Sequence, residues 1–304
     1  MSLERGVYRI HHSQSPIVID LHDGLDADAT QIRAWENLNS NNQAWLIDPI
    51  DEEPDTFFVQ NIMSGTYMDL TDGSADDFTS INGCQRSGEM QKWLIKSVDG
   101  GNFYKIQNKM SKRVFVSLFY LGNDQSAHHS IVFKSGQANE TKISGAQGDW
   151  DSGTNHDQEW KLQCLTLSAE AVRALLKSHP LIPEDFPTYI TDGIYMCLPR
   201  EIITNDIWKK SDLSTPESAW RSVIFDCDDF AFCFKADVSR WGRNTIKVDA
   251  FGILAGIMFG VSTEDRGHAF NWTILEEDLG KIVFFEPQDG TFEASNTENG
   301  MHKP

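Results

Sequence analysis

The chain has 304 residues, 40% of them hydrophobic and 23% charged, a composition that supports two cores and excludes fibrous or disordered classes. Its formal net charge of -19 repels phosphate backbones and anionic lipid, which excludes nucleic acid as an expected partner. No stretch reaches the roughly 20 apolar residues of a transmembrane segment, and the start Met1-Ser2-Leu3-Glu4-Arg5-Gly6 lacks a signal-peptide core, so cytoplasmic synthesis without a signal peptide is expected.

The first half repeats itself. Gln43-Ala44-Trp45, Gln91-Lys92-Trp93 and Gln158-Glu159-Trp160 are three copies of Gln-x-Trp. Their surroundings repeat as well. Ile19-Asp20-Leu21-His22-Asp23-Gly24 returns as Met68-Asp69-Leu70-Thr71-Asp72-Gly73, and Gln60-Asn61-Ile62-Met63-Ser64 returns as Gln107-Asn108-Lys109-Met110-Ser111. These segments read as short alternating strands joined by turns. Units of roughly 45 to 50 residues cannot bury their own apolar faces, so they must share one core, which predicts threefold symmetry.

On these motifs residues 1–164 resemble the ricin-B-type β-trefoil lectins. The resemblance implies an all-β trefoil whose repeats bind sugars through an early carboxylate, a stacking ring and a polar residue before the Gln. Sugars offer flat C–H faces and paired hydroxyls, and those residue types answer both. In the first repeat Asp20, Trp35, Asn42 and Gln43 supply the set, with Arg33 beside them. In the second Asp69 and Gln91 remain, but Cys84 stands at the ring position and Met90 before the Gln. The third has Ser117 for the acid and Ala146 for the ring, keeps Trp150, Asp157 and Gln158, and carries an insertion between Phe119 and Glu140. That insertion either builds a new site or blocks the old one. In every repeat the alternative reading is that Gln-x-Trp only supports the fold.

After Cys164 the pattern changes. Ser168 to Ser178 has helical spacing behind a Ser cap, and Pro180, Pro183 and Pro187 mark turns. A second domain, residues 165–304, begins there. Pro199 to Lys210 reads as a helix with Pro in its first turn, and a further helix lies within Trp220 to Trp241. Three strands follow: the apolar run Ala250 to Val261, the alternating Gly267 to Ile274, and Lys281 to Phe285. Helices followed by strands predict an α+β domain.

Cys227 sits at the start of that third helix among Asp226, Asp228 and Asp229. The positive helix end favours a thiolate, and the three carboxylates oppose it. Asp226 suits the helix cap, and Asp228 and Asp229 suit the first turn. Five cysteines (Cys84, Cys164, Cys197, Cys227 and Cys233) are odd in number and lack zinc spacing, so reduced thiols are expected. His268 on a strand and Glu286 at the end of the next complete a Cys, His, acid order like that of papain. A thiol needs a base to take its proton, and the imidazole needs a third group to fix its tautomer. Taken singly, each residue also has a structural explanation: a buried thiol, a satisfied histidine and a carboxylate at a strand mouth.

The whole chain is similar to the mushroom chimerolectins typified by the Marasmius oreades agglutinin. The matching motifs are Phe225-Asp226-Cys227-Asp228-Asp229-Phe230, Gly267-His268-Ala269-Phe270-Asn271 and Phe284-Phe285-Glu286-Pro287-Gln288, with Ser64-Gly65-Thr66-Tyr67-Met68-Asp69-Leu70. That resemblance implies a lectin for galactose-type glycans joined to a papain-like, calcium-dependent cysteine endopeptidase. It implies Cys227 as nucleophile, His268 as base and Glu286 as its orienting partner. It also implies a homodimer through the C-terminal domain, and a defence toxin acting on external glycans after release or uptake. Three aspartates around Cys227 are open to two readings, capping carboxylates or ligands for a hard cation. The resemblance favours Ca2+, with Asp228 and Asp229 as the expected ligands. Two rival functions remain at this stage: a lectin whose second domain is inactive, and an acyl transferase using the same Cys-His-Glu group.

Overall fold

The computed structural model describes residues 3–86, 88–112, 114–119, 142–147, 150, 156–215, 220–261 and 267–292. The insertion read between Phe119 and Glu140 lies, beyond Phe119 itself, outside them. The chain divides into two compact units, Met1–Cys164 with Ile246–Val248, and Leu165–Thr245 with Asp249–Pro304.

The first unit is built from β1 (Gly6–His12), β2 (Ile17–Leu21), β3 (Thr30–Glu36), β4 (Ala44–Pro49), β5 (Thr56–Asn61), β6 (Tyr67–Leu70), β7 (Thr79–Cys84), β8 (Lys92–Val98), β9 (Phe103–Asn108), β10 (Val114–Phe119), β11 (Lys142–Gln147) and β12 (Trp160–Cys164). Antiparallel pairing runs β1 to β4, β5, β8, β9 and β12, then back to β1, so these six strands close a barrel without free edges. The other six form the hairpins β2–β3, β6–β7 and β10–β11, and β3, β7 and β11 pair with one another in a triangle that caps the barrel. This is the threefold trefoil that the repeats predict.

The repeated residues now have physical reasons. Trp45, Trp93 and Trp160 are each 0% exposed. Their indole N–H groups donate to the carbonyls of Ile19 (3.0 Å), Met68 (2.9 Å) and Val116 (3.1 Å). Asn61 donates to Asn42 O and accepts from the N–H groups of Met63 and Ser64, while Asn108 does the same with Met90, Met110 and Ser111. Gly24 and Gly73, at φ +63° and +60°, close the Asp-Gly turns; a Cβ there would meet Met63 Sδ at 2.4 Å or Met110 Sδ at 2.7 Å.

In the second unit β13 (Thr166–Ser168) leads into α1 (Ala169–Ser178), with Ser168 Oγ accepting from Ala171 N–H at 3.1 Å. β14 (Ile194–Met196) follows. The helix read over Pro199–Lys210 is instead largely a π-helix over Ile202–Trp208, in which Lys209 N–H reaches Thr204 O, five residues back. Next come α2 (Cys227–Thr245), β15 (Gly252–Ile253), β16 (Gly256–Val261), β17 (Gly267–Leu275), β18 (Asp278–Glu286) and β19 (Thr291–Phe292). A small sheet orders β13-β14-β15, and a larger one orders β16-β17-β18-β19. α2 buries Phe230, Ala231, Phe234, Val238 and Gly242, a stripe at helical spacing. Among the described residues no helix is long and apolar enough to cross a membrane.

Each indole bond satisfies a buried carbonyl, so replacing Trp93 by Phe leaves Met68 O without its donor and opens a gap. Trp93→Phe is expected to lower trefoil stability by about 2 kcal/mol. Urea unfolding checks it; an unchanged midpoint would remove the bond from the account.

Candidate functional site

In the first repeat the expected residues converge, but not in the roles expected. Asp20 is 1% exposed and already engaged: Arg33 Nε donates to Oδ1 at 2.9 Å, and Asn42 Nδ2 and Gln43 Nε2 donate to Oδ2 at 2.8 and 3.0 Å. Burial pushes its carboxyl up, against the lowering pull of the Gln43, Arg33 and Asn42 bonds. Gln43, itself 0% exposed, also donates to Glu36 O and accepts from Leu38 N–H. Asp20 therefore organises the loop rather than standing open to sugar hydroxyls. Arg33 also lies over the Trp35 ring, its guanidinium carbon 3.9 Å from the centroid, and bonds Asp23 at 3.4 Å. Sequence reasoning placed Arg33 beside the site; it did not show that one face of the ring is already covered.

The second repeat keeps the frame. Asp69 is buried, Gln91 is buried and donates to Gln85 O at 2.7 Å, and Cys84 Sγ accepts from Ala29 N–H at 3.4 Å. Burial pushes the Cys84 thiol up, the Ala29 N–H bond pulls against it, and the Asp69 and Asp28 carboxylates add to the rise. In the third repeat Ser117 faces Ser144, and Gln158 Nε2 donates to Ala146 O at 3.4 Å.

In the second unit His268 Nε2 and Glu286 Oε2 are 2.7 Å apart, both side chains being about one-seventh exposed (15% and 14%). β17 and β18 bring them together. The ladder pairs Asn271 with Phe285, so one step on sets Glu286 opposite Phe270 and diagonal to His268, on the same face. The other carboxylate oxygen, Oε1, accepts from Gln288 N–H at 3.1 Å, which fixes the carboxylate at both ends. The turn carrying it is seated on Trp208, whose indole donates to Pro287 O at 2.8 Å. Gly290, at φ +75°, lies so close to that ring that a Cβ would come within 2.5 Å of it. Sequence reasoning missed Trp208 and Gln288. Glu-Pro-Gln-Asp-Gly reads as a turn, but nothing local says that a distant tryptophan supports it.

Cys227 opens α2, and the direction of that helix is set by its contacts. Gly242 lies against Ile253, Phe234 stacks on Phe285 at 4.5 Å in the Asn271 row, and Phe232 meets Phe259 at 6.3 Å in the Ala269 row. Ala231 O accepts from Asn271 Nδ2 at 3.1 Å. These contacts seat the first turns of α2, the helix that Cys227 opens, on the Ala269 and Asn271 rows of the sheet that carries His268. With Nε2 held by Glu286, Nδ1 is the nitrogen that would exchange a proton with a thiol.

The three aspartates divide their work. Asp226 accepts from the backbone N–H groups of Val223 and Asp228, the second being the helix cap expected of it. Asp229 Oδ2 accepts from Asp226 N–H at 3.2 Å, closing a reciprocal capping box. The donor atoms that cluster within 4.8 Å are those of Asp226, Cys227 and Asp228, a set that includes Asp228 of the expected pair but not Asp229. The hydrogen bond between their carboxyls pushes Asp228 up and pulls Asp226 down from the usual carboxylate range.

Two family descriptions match the chain: Ricin-type beta-trefoil lectin domain-like over residues 41–127 and Agglutinin C-terminal over residues 195–292. Among solved structures the chain is similar to the Polyporus squamosus lectin bound to the human-type influenza-binding epitope Neu5Acα2-6Galβ1-4GlcNAc, with 32% identity and a TM-score of 0.80 over 96% of this chain and 95% of that one. It is also similar to PSL1a in a complex with E64, at 31% identity and TM-score 0.79 over 100% and 98% of the two chains. No curated protein matches it.

The capping box gives a direct check on the start of α2. Asp229→Ala removes the acceptor for Asp226 N–H and is expected to lower the stability of the second unit by about 1 kcal/mol, whereas Asp229→Glu, with the side chain usual at that position, keeps it. Urea unfolding of both variants measures the difference, and equal midpoints would show that the box is not formed.

Proposed function

Because this chain belongs to the lectin family of the Polyporus squamosus lectin, with a ricin B-like lectin domain and an agglutinin C-terminal domain, we propose that it binds galactose-type glycans and cleaves protein with its second unit. Carbohydrate binding comes with the family. The finer reading is a papain-like and calcium-dependent cysteine endopeptidase, and its cysteine-protease part rests on one observation: the His268–Glu286 pair at 2.7 Å, with Glu286 pinned by Gln288, on the sheet against which the helix opened by Cys227 packs.

In this reading His268 takes the thiol proton and Cys227 sulfur attacks the peptide carbonyl carbon. Glu286 holds the imidazole by Nε2 and stabilises its cationic form. The imidazolium then protonates the departing amine, and water, activated by the same histidine, hydrolyses the thioester. E64 is an epoxide that alkylates thiolates, so the relative described in complex with it supports a reactive cysteine here. The residues that would hold calcium are the expected pair Asp228 and Asp229, with Asp226, whose donor atom lies within 4.8 Å of those of Cys227 and Asp228; carboxylate oxygens suit that ion and the Cys227 sulfur does not. Bound there, calcium supplies positive charge that offsets the carboxylates around Cys227. The reading extends to a homodimer through the C-terminal domain and to a defence toxin that meets external glycans after release or uptake.

On the lectin side, a hexose lays its C–H face on the side of Trp35 that Arg33 leaves uncovered, with its hydroxyls reaching past the ring edge towards Asn42. The trisaccharide Neu5Acα2-6Galβ1-4GlcNAc, recorded on the Polyporus squamosus lectin, is the first ligand to try.

Casein digestion tests the enzyme. Cys227→Ala is expected to abolish cleavage with glycan binding intact, and exhaustive chelation is expected to stop the wild type reversibly. Cleavage surviving the substitution would reject the nucleophile, and cleavage surviving chelation would reject calcium. For the lectin, Trp35→Ala is expected to reduce affinity for immobilised N-acetyllactosamine about tenfold, from roughly 1–2 kcal/mol of lost stacking and burial. An unchanged affinity would move the main site elsewhere.

A further inference from the structure

The acid that meets the imidazole is itself held by a peptide group, and that peptide group is held in turn. Gln288 N–H donates to Glu286 Oε1 at 3.1 Å. The carbonyl of the same peptide unit, Pro287 O, accepts from the Trp208 indole Nε1–H at 2.8 Å. One planar amide thus presents a donor to the carboxylate on one side and an acceptor to the indole on the other. With His268 Nε2 and Glu286 Oε2 at 2.7 Å, four groups stand in a single file: indole, peptide, carboxylate, imidazole.

Pro287 is buried, so its carbonyl needs a donor from within the protein, and the one it meets lies 79 residues away in the chain. Gly290, at φ +75°, lets the indole ring lie against the backbone of the turn, where a Cβ would come within 2.5 Å of it. Gly290 N–H also closes the turn on Glu286 O at 2.9 Å, so the main chain is fixed on both sides of the shared peptide. Trp208 is the last residue of the π-helix over Ile202–Trp208, which is anchored by the buried Ile203 and Ile207; π turns are frequent at functional sites. Hydrogen bonds in a chain polarise one another: a peptide whose carbonyl accepts becomes a better N–H donor. The indole therefore tightens the hold on Glu286 without touching it.

We propose that Trp208 is a positioning residue for the His268–Glu286 pair, acting through the Pro287–Gln288 peptide to fix the Glu286 carboxylate and, with it, the orientation of the imidazole. This rests on the cysteine-protease reading above. Trp208 acts on the reaction only through the carboxylate, so its contribution disappears when the carboxylate is removed. A tryptophan that merely filled space under the turn would contribute equally with or without Glu286.

The test is a double-mutant cycle on the full chain with calcium present: wild type, Trp208→Phe, Glu286→Ala and the two combined. Each protein is assayed on fluorescein-labelled casein and for its rate of inactivation by E64, and melting temperatures confirm folding. Phe keeps a ring against Gly290 and removes the N–H. Trp208→Phe is expected to lower kcat about tenfold with KM within about threefold, and to slow E64 inactivation by a similar factor; in the Glu286→Ala background it is expected to change either rate by less than about twofold. Gly290→Ala, which displaces the ring while leaving the indole N–H in the chain, is expected to reproduce the loss and the dependence on Glu286, and it carries the test should Trp208→Phe not fold. An unchanged kcat, or the same fold-loss with and without Glu286, would overturn the proposal and leave the cysteine-protease reading in place. A wild type that neither cleaves casein nor reacts with E64 would remove that reading and the proposal with it.

Discussion

The trefoil depends on a hydrogen bond made three times. A buried indole is apolar except for one N–H, and leaving that N–H or the carbonyl it meets without a partner would cost a large part of what burying the ring contributes. Trp45, Trp93 and Trp160 meet this constraint by donating to Ile19, Met68 and Val116, each just before the position that carries Asp20, Asp69 or Ser117. The bond that closes the core thereby fixes the strand on which that residue stands. Binding chemistry can vary from repeat to repeat because the scaffold under it does not.

The second unit relies on a different device, the fixing of a carboxylate at both ends. One oxygen of Glu286 meets His268 and the other meets Gln288 N–H, so imidazole orientation is set by backbone as well as by side chain. Trp208 and Gly290 hold the turn that presents them. At the start of α2, Asp226 and Asp229 satisfy backbone N–H groups reciprocally, and the Asp228 carboxylate accepts from its own N–H. That division shows how three acids can surround one cysteine: two of them cap the helix end, and the third bonds to the carboxyl of Asp226.

Repetition made the trefoil legible. Gln-x-Trp, the Asp-Gly turns and the Asn-x-Met segments each serve one threefold contact, so their recurrence predicted symmetry before any strand was paired. The pairing of His268 with Glu286 was legible for a similar reason, since a strand and the strand that follows it are local patterns. What stayed hidden was pairing at a distance. Arg33 over Trp35, Trp208 under the Glu286 turn and Asp229 returning to Asp226 depend on side-chain directions that spacing does not encode. The π-helix over Ile202–Trp208 was unreadable because α and π turns share nearly the same apolar spacing over seven residues.

The exchange of ring and small residue between the first and second hairpins follows from the same separation of levels. A strand's period of two leaves the sugar face independent of the core face, so residues 67 and 84 can trade size without disturbing Met68 or Ile81, which remain buried in the common core. The unit of comparison between repeats is the cross-strand pair, Val18 with Trp35 in the first and Tyr67 with Cys84 in the second.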